Sequence, residues 1–215
     1  MNILNSYRYL IDLISRGEHQ EQDFKFEISD VRKIAKTLSA FANTTGGRLL
    51  IGVKDNGKIF GVRSEEEVHQ IISAAQLYCK PEVIIRIRAY RVDGKTILEA
   101  LVAESIQKPC YAIDIENKPK AYIRINDENV LASAVHLCVW RMESQKTGTL
   151  IEYSAQEQIL IDYLNAHGSI SISRYCKIAT IPRQSAIDTL AKFVHFKIAK
   201  PLYSENGFVY QLIEE

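Results

Sequence analysis

Several common signals are missing from this 215-residue sequence, and each absence excludes a class of protein. No apolar run approaches the roughly 18 uncharged residues that a membrane helix needs, which argues against a protein with transmembrane helices. The first twenty residues form an amphipathic pattern interrupted by Asp12 and Arg16, whereas a signal peptide has an apolar core. We therefore predict a cytoplasmic protein with no membrane partner.

Cysteine is scarce, and its four positions form neither a metal-binding nor a disulfide pattern. No CxxC pair occurs, and no Cys/His cluster has zinc-ligand spacing. We expect buried free thiols in a reducing compartment. A basic tail is also absent, and the net charge is only +1. This balance argues weakly against nonspecific coating of nucleic acid and says nothing about a local site.

What the sequence contains is the composition of a globular chain, with 47% hydrophobic and 25% charged residues. A length of 215 residues suits two domains, since domains cluster at roughly 100–150 residues. Strand and helix patterns mix without strict alternation, which predicts an α+β fold with a mixed or antiparallel sheet and packed helices. We predict a first domain over 1–142, a polar linker over 143–149 and a second domain over 150–215.

Helix and strand patterns of the first domain begin with an amphipathic helix over residues 1–16. A half-buried strand follows at 24–28, where apolar and charged residues alternate. Asp30 is expected to cap the next helix, which should end at Gly46-Gly47 because glycine is common just after a helix.

The rest of the first domain is predicted from turns and caps. RLLIGV and KIFGV flank Asp55-Asn56-Gly57, which predicts a hairpin because such residues tolerate the positive φ angles of tight turns. A helix with a capping box is expected from Ser64. Two further strands are joined at Asp93-Gly94, and KAYIRI is expected to be the last strand. A helix over about 130–142 closes the domain.

The second domain has the element order of a winged helix-turn-helix over residues 152–213: helix, strand, short helix, turn, longer helix and hairpin. In such a module the second helix of the pair reads base edges with its N-terminal residues. Here these are Arg183, Gln184 and Ser185, and Arg and Gln have the bidentate geometry that pairs with guanine and adenine. The candidate phosphate contacts are Arg174, Lys177, Lys192, Lys197 and Lys200.

DNA is therefore the predicted partner, and a homodimer is expected because two half-sites multiply affinity. Between Ile172 and Lys200 six basic residues face a single acid, Asp188. From Thr149 to the end of the sequence the same six basic residues face seven acids. This near-neutral balance leaves open a winged helix that is used for dimerisation or protein contact.

Three segments of the first domain carry a family pattern: DFKFE at 23–27, LSAFANTTGGRLLIGVKDNGKIFGV at 38–62, and KPCY followed by AYIRI within 108–125. They resemble the Schlafen-type AlbA-like domain, a bacterial module that is also the core of eukaryotic Schlafen proteins and is often followed by a winged helix. The resemblance covers about residues 15–140. It implies an AlbA-like fold that binds nucleic acid, with RNA as a partner besides DNA.

The resemblance also implies an alternative function, because some Schlafen members are RNA endonucleases with three carboxylates. Glu18 and Asp23 match the first two acids, Asp55 is the best match for the third, and Lys25 would contact phosphate. Such a trio would hold Mg²⁺ or Mn²⁺ and activate water. Asp23 replaces the family's longer Glu, however, and Asp is expected in a turn like that at Asp55. We predict no catalytic site, metal or other cofactor, with a metal-dependent ribonuclease or deoxyribonuclease as the alternative.

A further set of arginines lies on the predicted strands of the first domain. Arg86 and Arg88 share one face of a strand, and Arg124 lies on another strand. They predict either a basic patch for nucleic acid or a solvated sheet face with salt bridges. Taken together, the sequence predicts a DNA-binding transcriptional regulator. A nuclease and a non-catalytic scaffold are the two other interpretations.

Overall fold

A computed structural model describes residues 3–145 and 154–213 of the chain, with side chains from residue 6 onward. Helices combine with mixed and antiparallel sheets, which confirms the predicted α+β class. The chain divides into two compact units, Met1–Leu131 and Ala132–Glu215. Most of the predicted linker, residues 146–149, lies outside the described residues.

The first unit begins with helix α1 (Ile3–Ser15), strand β1 (Gln22–Lys25), helix α2 (Val31–Asn43), strand β2 (Gly47–Ile51) and helix α3 (Glu66–Leu77). Six strands follow: β3 (Cys79–Lys80), β4 (Ile85–Val92), β5 (Lys95–Val102), β6 (Tyr111–Ile113), β7 (Pro119–Ile125) and β8 (Glu128–Leu131). Within the described ranges, none of the helices is long and apolar enough to cross a membrane.

These strands form two four-stranded sheets. The first has the order β1-β2-β5-β4, in which only β1 and β2 run parallel to each other. The second is antiparallel and has the order β3-β6-β7-β8. Helix α2 contacts strands of both sheets, so it holds the two sheets together.

Both faces of the first sheet are buried over part of their area. Leu49 and Ile51 of β2 pack into the core that contains α2 and α3, whereas Leu50 packs on the opposite face with Leu10 and Leu13 of α1. Successive residues of a strand point to opposite faces, so a strand between two layers needs a continuous apolar run. The run LLI in β2 meets this requirement.

The segment AFANT-x-GG is explained by close packing at the end of α2. Asn43 is 3% exposed, and its Nδ2 donates to the carbonyl oxygens of Cys110 at 2.8 Å and Tyr122 at 2.9 Å. Its Oδ1 accepts from the Cys110 amide at 2.7 Å. A Cβ on Gly47 would lie 2.4 Å from the Phe41 ring, so only glycine fits there. The motif therefore joins α2, β2, β7 and the loop before β6.

The predicted hairpin around Asp55 forms only close to its turn and does not pair along β2. The turn forms, since the Gly57 amide donates to the Lys54 carbonyl at 2.7 Å. KIFGV returns alongside the residues just after β2, where Val53 and Ile59 form an isolated bridge, the Lys54 amide donates to the Lys58 carbonyl at 3.1 Å and the Phe60 amide donates to the Gly52 carbonyl at 2.8 Å. Both edges of β2 are already paired, with β1 on one side and β5 on the other, so no edge remains for a returning strand.

The predicted end of the first domain also changes. Val130 and Leu131 belong to β8, so KAYIRI is not the last strand, and the next helix, α4, spans Ala134–Ser144. Val135, Cys138 and Val139 of α4 lie in the core of the second unit. The first unit thus ends at Leu131, before the boundary we expected at residue 142, because α4 packs with the second core.

After α4, the second unit consists of α5 (Ala155–His167), α6 (Ile172–Ala179), α7 (Arg183–His195) and a hairpin of β9 (Ala199–Ser204) and β10 (Gly207–Leu212). Ser154 and Ser171 cap α5 and α6. The short strand expected at SISI is reduced to one bridge between Ile170 and Tyr210. The order of helices and hairpin agrees with the sequence analysis, and its interpretation as a winged helix-turn-helix stays a prediction.

Candidate nucleic-acid interface

The acidic residues proposed as a metal site begin at the N-terminal end of β1. Glu18 Oε1 accepts a hydrogen bond from the Phe24 amide at 2.8 Å. Burial raises the pKa of the Glu18 carboxyl, and the neighbouring Asp23 carboxylate raises it further. The structure therefore brings Glu18 and Asp23 together, as the family comparison of the sequence implied.

Asp23 is buried, and two cations neutralise it. Arg124 Nη2 lies 3.2 Å from Asp23 Oδ1, and Lys25 Nζ lies 2.7 Å from Oδ2. Lys25 Nζ also donates to the Phe24 carbonyl at 2.7 Å. A carboxylate that is held between two basic side chains offers little charge to a metal ion.

Arg124 has a structural role, which corrects its expected place in an exposed basic patch. Its side chain is 1% exposed. It donates to the Gln22 carbonyl at 3.1 Å and to Asn129 Oδ1 at 3.0 Å, and its guanidinium lies over the Phe41 ring. Arg124 thus ties β7 of the second sheet to the edge of β1, and its guanidinium cannot reach a ligand in solution.

Asp55 does not join the other two acids. Asp23 pairs in register with Leu49, and Asp55 follows Leu49 by six residues, in the exposed turn beyond the end of β2. Across residues 3–145 and 154–213, no group of three His, Cys, Asp or Glu side chains is arranged to hold a metal ion. The residues at this place do not fit the metal site of a Schlafen-type nuclease, and we derive no reaction from them.

Arg86 and Arg88 share one face of the first sheet with an arginine that the sequence analysis missed. Leu101 of β5 pairs with Arg86 of β4 on one side and with Arg48 of β2 on the other. Directly paired residues point to the same face, so the three arginines lie on one surface. The signal in the sequence was the single charge in the apolar run RLLI, directly after Gly46-Gly47.

A buried carboxylate lies beneath these arginines. Glu99 is 0% exposed and accepts hydrogen bonds from the hydroxyls of Tyr9 at 2.8 Å and Tyr90 at 2.9 Å. Arg48 Nη1 donates to the Tyr9 hydroxyl at 3.1 Å and lies 3.5 Å from Glu99 Oε1. Burial raises the pKa of Tyr90 to about 12, so its hydroxyl stays protonated and donates. An interaction with Tyr90 also raises the pKa of Arg88.

In the second unit, the residues predicted to read bases lie at the start of α7. Arg183 and Gln184 are exposed, and Ser185 is half-buried. Gln184 Nε2 donates to Asp188 Oδ1 at 2.9 Å. Arg141 of α4 lies 3.7 Å from the same Asp188 oxygen, and the sequence analysis did not foresee this contact because it placed α4 in the first domain.

The predicted phosphate contacts of the second unit are available to a ligand. Arg174, Lys177, Lys197 and Lys200 are exposed, and Lys192 is half-buried. With Arg183 they are six basic residues, and none forms an ion pair with a carboxylate in the described part of the chain. Arg174 lies over the Tyr163 ring, 5.5 Å from its centre, which holds its guanidinium at the surface.

Comparison with known protein families identifies the family of the first unit. The family model described as Schlafen, AlbA_2 matches residues 18–133, which is more than half of the chain. The chain belongs to the Schlafen, AlbA_2 family. The matched segment contains the motif around Asn43, the Glu18–Asp23 pair and the three surface arginines of the first sheet. Membership of this family supports a function related to nucleic acid. The matched segment ends at residue 133, before α4 begins.

A solved structure resembles this Schlafen, AlbA_2 protein in fold. The crystal structure of the DIP2311 protein from Corynebacterium diphtheriae is 15% identical, with a TM-score of 0.51 over 97% of this chain. The present chain spans only 38% of the DIP2311 chain. The N-terminal domain of a RecG-related protein from Nitrosomonas europaea is 22% identical, with a TM-score of 0.43 over 69% of this chain and 96% of that domain. Comparison with curated proteins finds no match.

Proposed function

We propose that this protein is a DNA-binding transcriptional regulator whose second unit is a winged helix-turn-helix. The observation that carries the proposal is the set of six basic residues on α6, on α7, on the segment after α7 and on β9, none of which is paired with a described carboxylate. Unpaired cations on elements that pack against each other are what a phosphate backbone attracts.

Base reading is expected from the first turn of α7. Arg183 and Gln184 are its first two residues and are exposed, and the N-terminal end of such a helix enters the major groove. Beyond this turn most of α7 is buried, including Ala186, Ile187 and Leu190, so the reading surface is short. Gln184 would have to leave Asp188 before it bonds to a base, which lowers its contribution relative to Arg183.

A short reading surface is the reason to propose a homodimer on DNA. One copy contacts few base pairs, whereas two copies on adjacent half-sites double the contact and multiply the affinity. The expected target is therefore a duplex with an inverted or direct repeat. A selected duplex that binds one copy of the protein as tightly as it binds two copies would contradict the homodimer.

Selection of bound duplexes from a random library by the purified full chain tests the proposal. Arg183→Ala should cost roughly 1–3 kcal/mol at the selected site and broaden the sequence preference. Lys200→Ala should weaken all sequences alike and reduce the slope of log K against log salt by about 0.9. The matched control is Arg16→Ala, because Arg16 is an exposed basic residue that already forms a salt bridge with Asp12 at 2.6 Å.

Two results together would contradict the proposal: selection enriches no duplex sequence from the library, and Arg183→Ala does not change the remaining binding of the protein to DNA. It would favour a second candidate function, protein contact through the second unit. That candidate rests on α4, which packs along α7 and brings Arg141 to Asp188, beside the expected base-reading residues.

A further inference from the structure

We propose that the open edge of β4, the side away from β5, is a docking site for an extended protein segment in which apolar and acidic residues alternate. The segment would add a strand to the first sheet through main-chain hydrogen bonds. The proposal goes beyond the regulator function, because it concerns a protein partner of the first unit. It rests on the free main-chain groups of β4, on a groove beside Ala89 and on the arginines of the opposite face.

β4 is an outer strand of the first sheet and is eight residues long. It pairs with β5 along its whole length, and no described strand or main-chain hydrogen bond joins its other edge. An unpaired edge carries a row of N–H and C=O groups on which another strand can form. The other outer strand, β1, has only four residues. β4 is therefore the longer edge that a partner could extend.

The direction of the main-chain groups of β4 follows from the hydrogen bonds of β2. The Arg48 amide donates to the Glu21 carbonyl at 2.9 Å, on the side of β1. Main-chain groups of successive strand residues alternate in direction, so those of Leu49 point to β5, where they meet Ala100. The main-chain groups of Ala100 thus point away from β4, and those of its partner Ile87 point to the open edge. By the same alternation, the outward-pointing residues are Ile85, Ile87, Ala89 and Arg91.

The side chains of these outward-pointing residues share the face of the sheet that carries α3, since Ile85 and Ile87 pack against the core that contains α3. A groove of about 500 Å³ lies on this face, between the sheet and the N-terminal part of α3. Its apolar lining consists of Val62, Val68, Ala89 and Leu98. Ala89 is exposed, and a residue directly opposite it on an added strand would point to the same face. An apolar side chain at that position would therefore enter the groove.

The opposite face of β4 determines the charge of the partner. α1 covers part of this face at Tyr90, but it leaves Arg86 and Arg88 exposed. Neither arginine forms an ion pair with a described carboxylate. Side chains of a strand alternate between faces, so the partner residues next to the apolar positions would face these arginines. Opposite charges stabilise such cross-strand pairs, and acidic residues are therefore expected there.

A second copy of the chain fits the open edge less well. Two β4 strands that pair antiparallel about Ile87 would place Arg86 opposite Arg88. Pairing about Arg88 would place this arginine opposite itself. Like charges directly opposite each other destabilise a sheet, and charged residues on an edge strand hinder pairing between copies. An acidic segment of another protein meets no such repulsion.

The test uses the full chain and a fluorescent peptide of the same length as β4, with blocked ends and alternating valine and aspartate. One control peptide alternates valine and lysine. A second control has the composition of the acidic peptide, with all its valines before all its aspartates. The alternating acidic peptide should bind at least tenfold more tightly than either control. Equal binding of the two acidic peptides would overturn the proposal, because it would show attraction by charge alone.

A substitution at Ala89 tests the main-chain contact. Ala89→Pro removes one outward N–H group, and proline is tolerated on the outer side of an edge strand. It should weaken binding of the alternating acidic peptide at least tenfold. The matched control is Ala89→Ser, which keeps the N–H group and a small side chain and should bind within about twofold of the parent. Equal affinity of the two variants, both folded by circular dichroism, would overturn the proposal.

Amide hydrogen exchange, followed by NMR in the parent chain, tests strand addition without any substitution. Saturating peptide should slow exchange of the Ile87 and Ala89 amides at least tenfold, because these amides gain hydrogen bonds. The amides of Arg86 and Arg88 point to β5 and should stay within about twofold. Bound peptide without slowing at Ile87 and Ala89 would overturn the proposal. Slowing that depends only on the concentration of the chain would overturn it in favour of a second copy. None of these measurements involves DNA, so a failure of the regulator proposal does not alter them.

Discussion

Changing Asn43 to Asp replaces one nitrogen by oxygen, and we expect it to destabilise the first unit strongly. Asn43 Nδ2 donates to two carbonyl oxygens, those of Cys110 and Tyr122, at 2.8 and 2.9 Å. Asn43→Asp removes both N–H donors of Nδ2 and places a carboxylate oxygen against the two carbonyl oxygens. The bond from the Cys110 amide to Oδ1 remains, so the effect comes from the donors lost with Nδ2 and from the charge of the new carboxylate.

The expected magnitude follows from burial. Asn43 is 3% exposed, and each buried polar group left without a partner costs about 1–3 kcal/mol. Both carbonyls lose the Asn43 donor, but the Cys110 carbonyl still accepts from Ser39 Oγ at 2.7 Å, so the loss should be about 2–4 kcal/mol, against a total stability of about 5–15 kcal/mol. Burial should also raise the pKa of the new carboxyl. The difference in the free energy of unfolding between Asn43→Asp and the parent should therefore shrink as the pH falls, because the carboxyl gains a proton that it can donate.

Urea unfolding followed by far-UV circular dichroism measures this loss. Trp140 is the only tryptophan of the chain and lies in α4 of the second unit, so its fluorescence reports on that unit separately. The matched control is Asn56→Asp, because Asn56 lies in an exposed turn and its Oδ1 accepts from the Lys58 amide, as an Asp can. The control should change stability by less than about 0.5 kcal/mol.

A loss below about 1 kcal/mol at pH 7 for Asn43→Asp would refute this reasoning. It would mean that the motif around Asn43 is not held together by these hydrogen bonds. An equal shift of the circular dichroism and Trp140 transitions would show instead that the two units unfold as one.

Three further predictions concern other parts of the chain. Burial lowers the pKa of His136 from 6.5 to about 4, so the unfolded chain binds a proton at a higher pH than the folded one. Lowering the pH from 7 to 4 should therefore reduce the free energy of unfolding of the second unit by roughly 3 kcal/mol, measured by urea unfolding with Trp140 fluorescence. His136→Gln should flatten this dependence, since Gln also suits the capping box. Gly47→Ala should cost about 1–3 kcal/mol in urea unfolding, because its Cβ would clash with Phe41. Mn²⁺ should leave Tm unchanged in the parent and in Asp55→Asn alike; a rise in Tm that Asp55→Asn abolishes would restore the nuclease interpretation.

Features that depend on neighbouring residues were predictable from the sequence. Asp30 caps α2 as expected, since a cap involves residues within a few positions of each other. Asp93 and Gly94 both have positive φ in the turn between β4 and β5. The motif around Asn43 also indicated the correct family, although the sequence did not show that its role is packing.

Pairing between distant strands and the burial of charges were decided only by the tertiary structure. Residues 58–62 have the pattern of a returning strand, but β2 instead pairs with β1 and with β5, about fifty residues further along the chain. Arg124 and Arg48 are both charges on apolar strands, and nothing local distinguishes them. Arg124 faces Asp23 in the interior, whereas Arg48 contacts Tyr9 of α1 and keeps 27% of its side chain exposed. Which arginine can reach a ligand depends on what packs above each strand, and those contacts come from residues far away in the sequence.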